Sequence, residues 1–311
     1  MNNNSRPLIA HISMFLACAF WGLMAPLGKD AMTHGIDGIC MVSLRVFGAC
    51  ILFWIASLFV RHEHVPFKDK WKFIFAGLFG LVFNQCCFTI GLSITSPINA
   101  SIVTTSMPIF AMILAALILK EPITGKKAVG VLMGCSGALI LILTSASAVS
   151  DKMGDIRGDL LCLFAQFSFA LYLALFNPLI RRYSVFTVNK WMFLFGTIVL
   201  APFTLSHLVS NDWAAVPAQS LWEAAFVVVV CTFVGYILTM VAQQTLRPTV
   251  VSVYNYVQPL VSVIVSVVTG LAIFSPTHAL AAALVFGGVW LVTKSRSRKD
   301  MEKAKEEGAA K

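Results

Sequence analysis

Charge is what this sequence has least of. Only 12% of its 311 residues are Asp, Glu, Lys or Arg, about half the share of a soluble domain. Splitting the length into two soluble domains would therefore mislead. Acids are the scarcer sign, 14 against 23 Lys and Arg. Asp30, Glu121, Asp159 and Glu223 all fall near the ends of apolar runs. A proton-coupled exchanger built on a carboxylate at depth in a membrane is thus disfavoured. The eight cysteines lie inside apolar runs without CxxC spacing, and no histidine cluster accompanies them. They read as small packing residues, with no metal site or cofactor expected. No clustered acids and no nucleophile–base pair mark an interface, which argues against a membrane enzyme such as a lipid-modifying transferase.

Apolar length is abundant. The chain is 58% hydrophobic with mean hydropathy +0.84. Runs long enough to cross a bilayer as helices are read at 8–28, 38–60, 72–92, 96–119, 127–146, 159–180, 187–209, 220–243, 248–271 and 277–295. The fold class expected is an all-α integral membrane protein with ten transmembrane helices. The first run could pass for a signal peptide, but it has a counterpart later in the chain and is read as a retained helix. Basic residues sit in the short gaps between runs, which does not suit nucleic-acid binding despite the net charge of +9. With ten spans, nineteen Lys and Arg fall on the side of the termini and three on the other, while Arg45 lies within a span. The positive-inside rule then puts both termini in the cytoplasm.

The ten runs form two copies related by a shift of 151 residues. Val65-Pro66 falls on Val216-Pro217, Trp71 on Trp222, Pro97 on Pro248 and Pro108 on Pro259. Each half holds six prolines and three coincide, where chance gives about a quarter of one. Five spans per copy is odd, so the second copy enters the membrane upside down. The loop at Val65-Pro66 is rich in Lys and Arg, whereas 210–221 has neither. Two inverted five-helix repeats are expected, an arrangement that encloses a central site exposed alternately to either side.

Polar residues within lipid are costly unless they face a cavity or a partner helix, so they locate that site. Ser101, Thr104, Thr105 and Pro108 share one helix face by their spacing, and their counterparts are Ser252, Asn255, Tyr256 and Pro259. Pro108 and Pro259 would kink their helices, freeing the carbonyls of Thr104 and Asn255. Asn84, Gln85 and Thr89 mark the third span; Thr232, Tyr236, Thr239 and Gln243 mark the eighth. Trp21 and its match Tyr172, with Gln166, add an aromatic pair suited to stacking on an organic substrate. The plainer reading is helix-to-helix glue for the hydroxyls and core packing for the rings. The substrate contacts expected are Trp21, Asn84, Gln85, Thr104, Gln166, Tyr172, Tyr236, Asn255, Tyr256 and Gln258. Gly130, Gly134 and Gly137, with Gly287 and Gly288, read as close helix packing. His11 reads as interfacial. Arg45 begins about seven residues into its span, and either snorkels outward or serves as a gate or anion contact. The larger polar and aromatic side chains of the second copy are where substrate choice is expected.

Taken together, these features resemble the EamA-type branch of the drug/metabolite transporter superfamily over residues 8–295. The resemblance rests on Phe20-Trp21-Gly22, the Pro97-to-Pro108 helix, Lys120-Glu121-Pro122, Gly130 and the Gly134-to-Gly137 helix. It implies a plasma-membrane carrier, often an exporter, of amino acids or other small metabolites, with spans 1, 3, 4, 6, 8 and 9 around the path. The family's usual Gly-Glu at the end of the fourth span appears here as Lys120-Glu121, and its second-copy match is Ala272. Glu121 is read as a partner for loop cations. The organisation expected is a first repeat over 1–147, an extracytoplasmic linker over 148–158, a second repeat over 159–296 and a charged tail over 297–311. The function expected is secondary transport of a small organic metabolite in a lipid bilayer. A non-transporting membrane scaffold or sensor is the alternative.

Overall fold

The computed structural model describes residues 5–95, 97–146, 155–268 and 276–295. The Ser101 side chain, Ala272, most of the expected linker and the expected tail lie outside the described residues. Within the described residues, each apolar run read from the sequence is largely helical. The elements are α1 (Ser5–Thr33), α2 (Gly38–Ser57), α3 (Phe67–Ile94), α4 (Pro97–Thr104), α5 (Met107–Ile118), α6 (Gly125–Ala146) and α7 (Ile156–Leu175). They continue as α8 (Asn177–Ile180), α9 (Val185–Ser210), α10 (Ala218–Thr245), α11 (Pro248–Val253), α12 (Val257–Val268) and α13 (Pro276–Thr293). Seven of these are long and apolar enough to cross a membrane: α1, α2, α3, α7, α9, α10 and α13. The protein is an all-helical, multi-pass membrane protein.

Local chemistry sets the helix ends. Asp37 accepts the backbone N–H of Cys40 to start α2, and Asp155 accepts that of Arg157 to start α7. Ser184 does the same for Thr187 at α9. Pro97, Pro248 and Pro276 occupy first-turn positions, where a missing N–H costs no helical bond. Gly35, at φ +96°, makes the turn between α1 and α2. Lys120 is the one described non-glycine residue with positive φ, at 55°. That is the left-handed conformation glycine takes without strain, so Lys120 carries a cost of roughly 1–2 kcal/mol there.

Large apolar side chains cover the outside: Phe59, Trp222, Phe203 and Leu117 are each more than 70% exposed. In water such a surface would aggregate; in a bilayer it is the lipid face. Lipid removes most of the hydrophobic drive between helices, so close packing and internal hydrogen bonds hold the bundle. Glycines provide the approach. A Cβ on Gly130 would stand 2.9 Å from the Gly288 carbonyl oxygen, and one on Gly137 would stand 2.7 Å from that of Ala281. Both contacts join α6 to α13. They also correspond under the 151-residue shift with the partners exchanged.

The same exchange recurs deeper in the bundle. The Trp21 indole donates to the Cys231 carbonyl at 3.0 Å, while its counterpart Tyr172 lays its ring against Gly80, the counterpart of Cys231. Between Gln85 and Tyr236, themselves 151 residues apart, the two members of one matched pair bond directly at 2.8 Å.

Two irregularities also come in matched positions. The middle of α3, Leu78–Phe83, and of α10, Val227–Val234, is wound as π-helix. These wide turns lie immediately before Asn84-Gln85 and Gly235-Tyr236, and they re-aim those residues toward the centre. Where the sequence places Pro108 and Pro259, the helical path breaks about one turn earlier. α4 ends at Thr104, and Thr105 and Ser106 bond back only three residues; in the second half a 3-10 turn spans Tyr254–Tyr256. A proline ring clashes with the carbonyl four residues before it, which accounts for both positions.

Candidate functional site

A cavity with about 820 Å³ between its walls, counting the space at its mouth, lies where α1, α2, α3, α4, α7, α10 and the α11–α12 junction converge. The geometry follows from the local structure just described. The π turns rotate Gln85 and Tyr236 inward, and the breaks before Pro108 and Pro259 bring Thr104 and Asn255 to the wall. Gly22 lets α1 approach closely, since a Cβ there would stand 2.7 Å from the Gln258 carbonyl oxygen.

Eight of the ten side chains expected at the site line the cavity: Trp21, Asn84, Gln85, Thr104, Gln166, Tyr236, Asn255 and Gln258. They come from both halves of the chain. Apart from Gln166, their polar groups bond to one another, to Cys18 or to the backbone. Gln85 donates to the Tyr236 hydroxyl, which donates onward to the Gly80 carbonyl at 3.2 Å. Asn84 donates to the Ala165 carbonyl at 3.0 Å, and Gln258 to Asn255 Oδ1 at 3.2 Å. Thr104 donates to the Ala100 carbonyl one turn back. The Trp21 ring meets Phe169 and Tyr236 edge-on, each at 6.2 Å between centroids.

Tyr172 and Tyr256 lie away from the cavity wall. Gln166 and Phe169 share one face of α7, and Tyr172 is turned off it to fill the gap over Gly80. Its hydroxyl reaches Gln243 at 3.2 Å. Tyr256, next to Asn255, points the other way, onto Gly134 of α6, where a Cβ would run into the ring. Its hydroxyl donates to the Val131 carbonyl. Each tyrosine occupies the space that a missing side chain leaves. Gly134 therefore seats a ring and also meets Gly288 of α13, where a Cβ on Gly288 would stand 2.7 Å from its backbone nitrogen, while Gly130 and Gly137 let helix backbones meet.

Arg45 also lines the cavity, and it does not snorkel outward. Its side chain is 2% exposed, with Nε donating to Thr232 Oγ1 at 3.0 Å and one Nη to Thr89 Oγ1 at 3.2 Å. Its helix turns it into the bundle, so the nearest acceptors are hydroxyls of α3 and α10 and not the interface. Met24, Phe88, Phe169, Gly22 and Pro259 complete the lining. Helical spacing could have found Phe88 and Phe169, each three residues beyond a polar liner, Gln85 and Gln166. Arg45 had its signal too, a cation in an apolar run, but its direction was not in the sequence.

Glu121 lies outside this lining. It holds Lys127 at 2.9 Å in an almost fully buried ion pair and accepts from Thr249 at 3.2 Å, tying the α5–α6 loop to α11. His11 is paired with Tyr254 at 2.8 Å and is also outside the lining.

A multi-pass helical bundle whose polar residues converge on an internal cavity has the build of a membrane transport protein. The comparisons make this specific. The EamA-like transporter family model matches residues 8–143 and again 156–294, and the chain belongs to that family. It is 25% identical over 307 residues to the uncharacterized transporter YetK of Bacillus subtilis, covering 96% of this chain and 91% of that one. An uncharacterized transporter of Archaeoglobus fulgidus is 25% identical over 285 residues, covering 92% and 99%. A WAT1-related protein of Arabidopsis thaliana is 24% identical over 296 residues, covering 86% and 73%. One solved crystal structure has the same fold, with a TM-score of 0.72 at 18% identity over 93% of this chain and 96% of that one.

Proposed function

We propose that the protein is a secondary carrier that moves a small organic metabolite across the plasma membrane by alternating access. The observation that carries this reading is the cavity itself. Polar side chains from both halves of the chain meet in it, at positions that a membrane bundle would otherwise fill with apolar groups. The reading includes ten spans in two inverted repeats, divided as 1–147 and 159–296, with both termini cytoplasmic. It is supported by contacts that exchange partners under the 151-residue shift, as in Trp21–Cys231 and Tyr172–Gly80. Trp21, Asn84, Gln85, Thr104, Gln166, Tyr236, Asn255 and Gln258 form the substrate surface in this reading; Tyr172 and Tyr256 support it from behind. With no Asp or Glu among the lining residues, exchange or facilitated diffusion fits better than a proton relay.

The test is reconstitution of the purified protein into vesicles loaded with a metabolite mixture. Saturable, counterflow-competent flux is expected, and Asn255→Ala should lower it about tenfold or more while the protein still elutes as a folded species. A protein that inserts and folds but gives no saturable flux would instead be a scaffold or sensor.

A further inference from the structure

Arg45 is the one charged side chain among the lining residues of the cavity. It is 2% exposed, and among the described residues no carboxylate lies within ion-pairing distance of it. Its hydrogen-bond partners are two neutral hydroxyls, on Thr89 and Thr232. Thr232 spends its own proton on the Val227 carbonyl at 2.8 Å, across the π turn of α10, so its oxygen is left to accept from Arg45. The guanidinium is thus oriented but not neutralised. A buried cation without a counter-charge is among the most expensive groups a protein can hold. Two of the five N–H donors of Arg45 are used by these hydroxyls, and three remain in the planar fork, enough to meet a carboxylate in two-point geometry.

We propose that Arg45 receives the carboxylate of the substrate, and that the substrate class is small monocarboxylates with an uncharged remainder. This rests on the carrier reading above. One guanidinium in an otherwise uncharged cavity balances a single negative charge, which disfavours phosphate monoesters and dicarboxylates. No acid among the lining residues offers an ion pair to an ammonium, which disfavours zwitterions. Asn84, Gln166 and Asn255 supply neutral polar contacts, and Trp21, Phe88 and Phe169 offer ring faces and edges to an apolar body. The counterpart of Arg45 is Gly196, where a Cβ would stand 2.6 Å from Leu81. The cation is therefore a property of one half alone, and it breaks the symmetry of the cavity in favour of one substrate orientation.

The test is equilibrium binding to the full-length protein in detergent, using matched acid and amide probes: phenylacetate against phenylacetamide, and hexanoate against hexanamide. The acids should bind at least about 30-fold more tightly than their amides, the loss expected when a buried charge is left unpaired. Arg45→Gln should erase that ratio, with the acids losing far more affinity than the amides. Arg45→Lys keeps the charge but loses the fork, and should reduce the ratio without abolishing it. Should the Gln variant fail to fold, the Lys variant decides. Equal binding of acid and amide by the wild type, or an unchanged ratio in either variant, overturns the proposal. The vesicle assay separates the two readings. Saturable flux of neutral or cationic solutes only would sink the carboxylate inference and leave the carrier standing. Carboxylate binding with no flux of any solute would do the reverse.

Discussion

The two halves of the chain share their scaffold contacts and differ in what they present to the cavity. Gly130 meets Gly288 as Gly137 meets Ala281, and Trp21 meets Cys231 as Tyr172 meets Gly80. Across the cavity the correspondence fails. Arg45 answers to Gly196, Thr104 to Asn255, and the polar Gln85 to the aromatic Tyr236. Contacts that hold helices together tolerate little change, because close backbone approach is possible only where side chains are absent. A cavity wall has no such constraint, so the halves are free to diverge there. Asn255 and Gln258 of the second half line the cavity, but its one charged lining residue, Arg45, comes from the first.

The comparison breaks most completely if the halves are not inverted. Phe67 and Ala218 are exposed, lie 151 residues apart, and begin the matched helices α3 and α10. Single cysteines at these two positions should react with an impermeant reagent from opposite sides of the membrane, an all-or-none difference. Labelling of both from one side would end the inverted-repeat reading. Val65 and Val216 are poorer probes, since both are buried.

Next in size come the scaffold glycines. Gly288→Val and Gly137→Val press a side chain against backbone atoms 2.6 and 2.7 Å from its Cβ. Each should destabilise by roughly 1–3 kcal/mol, the usual cost of overpacking, or more where backbone must move. Thermal unfolding in detergent should show similar losses for the pair. A large loss for one and none for the other would mean that the contacts are matched in position but not in role.

The smallest effect sharpens the centre. Gln85→Leu and Tyr236→Phe share the loss of one hydrogen bond, worth about 0.5–1.5 kcal/mol, and Tyr236→Phe should cost somewhat more because its bond to the Gly80 carbonyl goes too. The double variant should lose less than the sum, since the bond can be removed only once. Additive losses in unfolding experiments would show that the Gln85–Tyr236 bond contributes nothing to stability.

Much of this was legible in the chain itself. Apolar runs of membrane length, separated by prolines and glycines, were sufficient for the helical membrane fold. Spacing on each helix picked out eight side chains that do line the cavity. The residues that escaped did so for identifiable reasons. Val227–Val234 carries no breaker that announces a π turn, and the single Gly80 within Leu78–Phe83 is equally compatible with an ordinary helix. Tyr172 looked like a site residue as the match of Trp21, an aromatic pair suited to stacking, and Tyr256 as a member of the polar stripe with Ser252 and Asn255. Their partners are backbone and Gln243 in the spaces over Gly80 and Gly134.

By itself, then, the sequence determined which segments are helices, which positions on them share a face, and that the chain is doubled. Periodicity is a property of one helix and survives without knowledge of its neighbours. Tertiary structure alone decided which face turns toward the cavity, because that rotation depends on where a facing helix leaves room. The same physics turned Arg45 inward. Two hydroxyls on other helices, 44 and 187 residues away in the chain, receive its guanidinium, and nothing local to α2 foretells them.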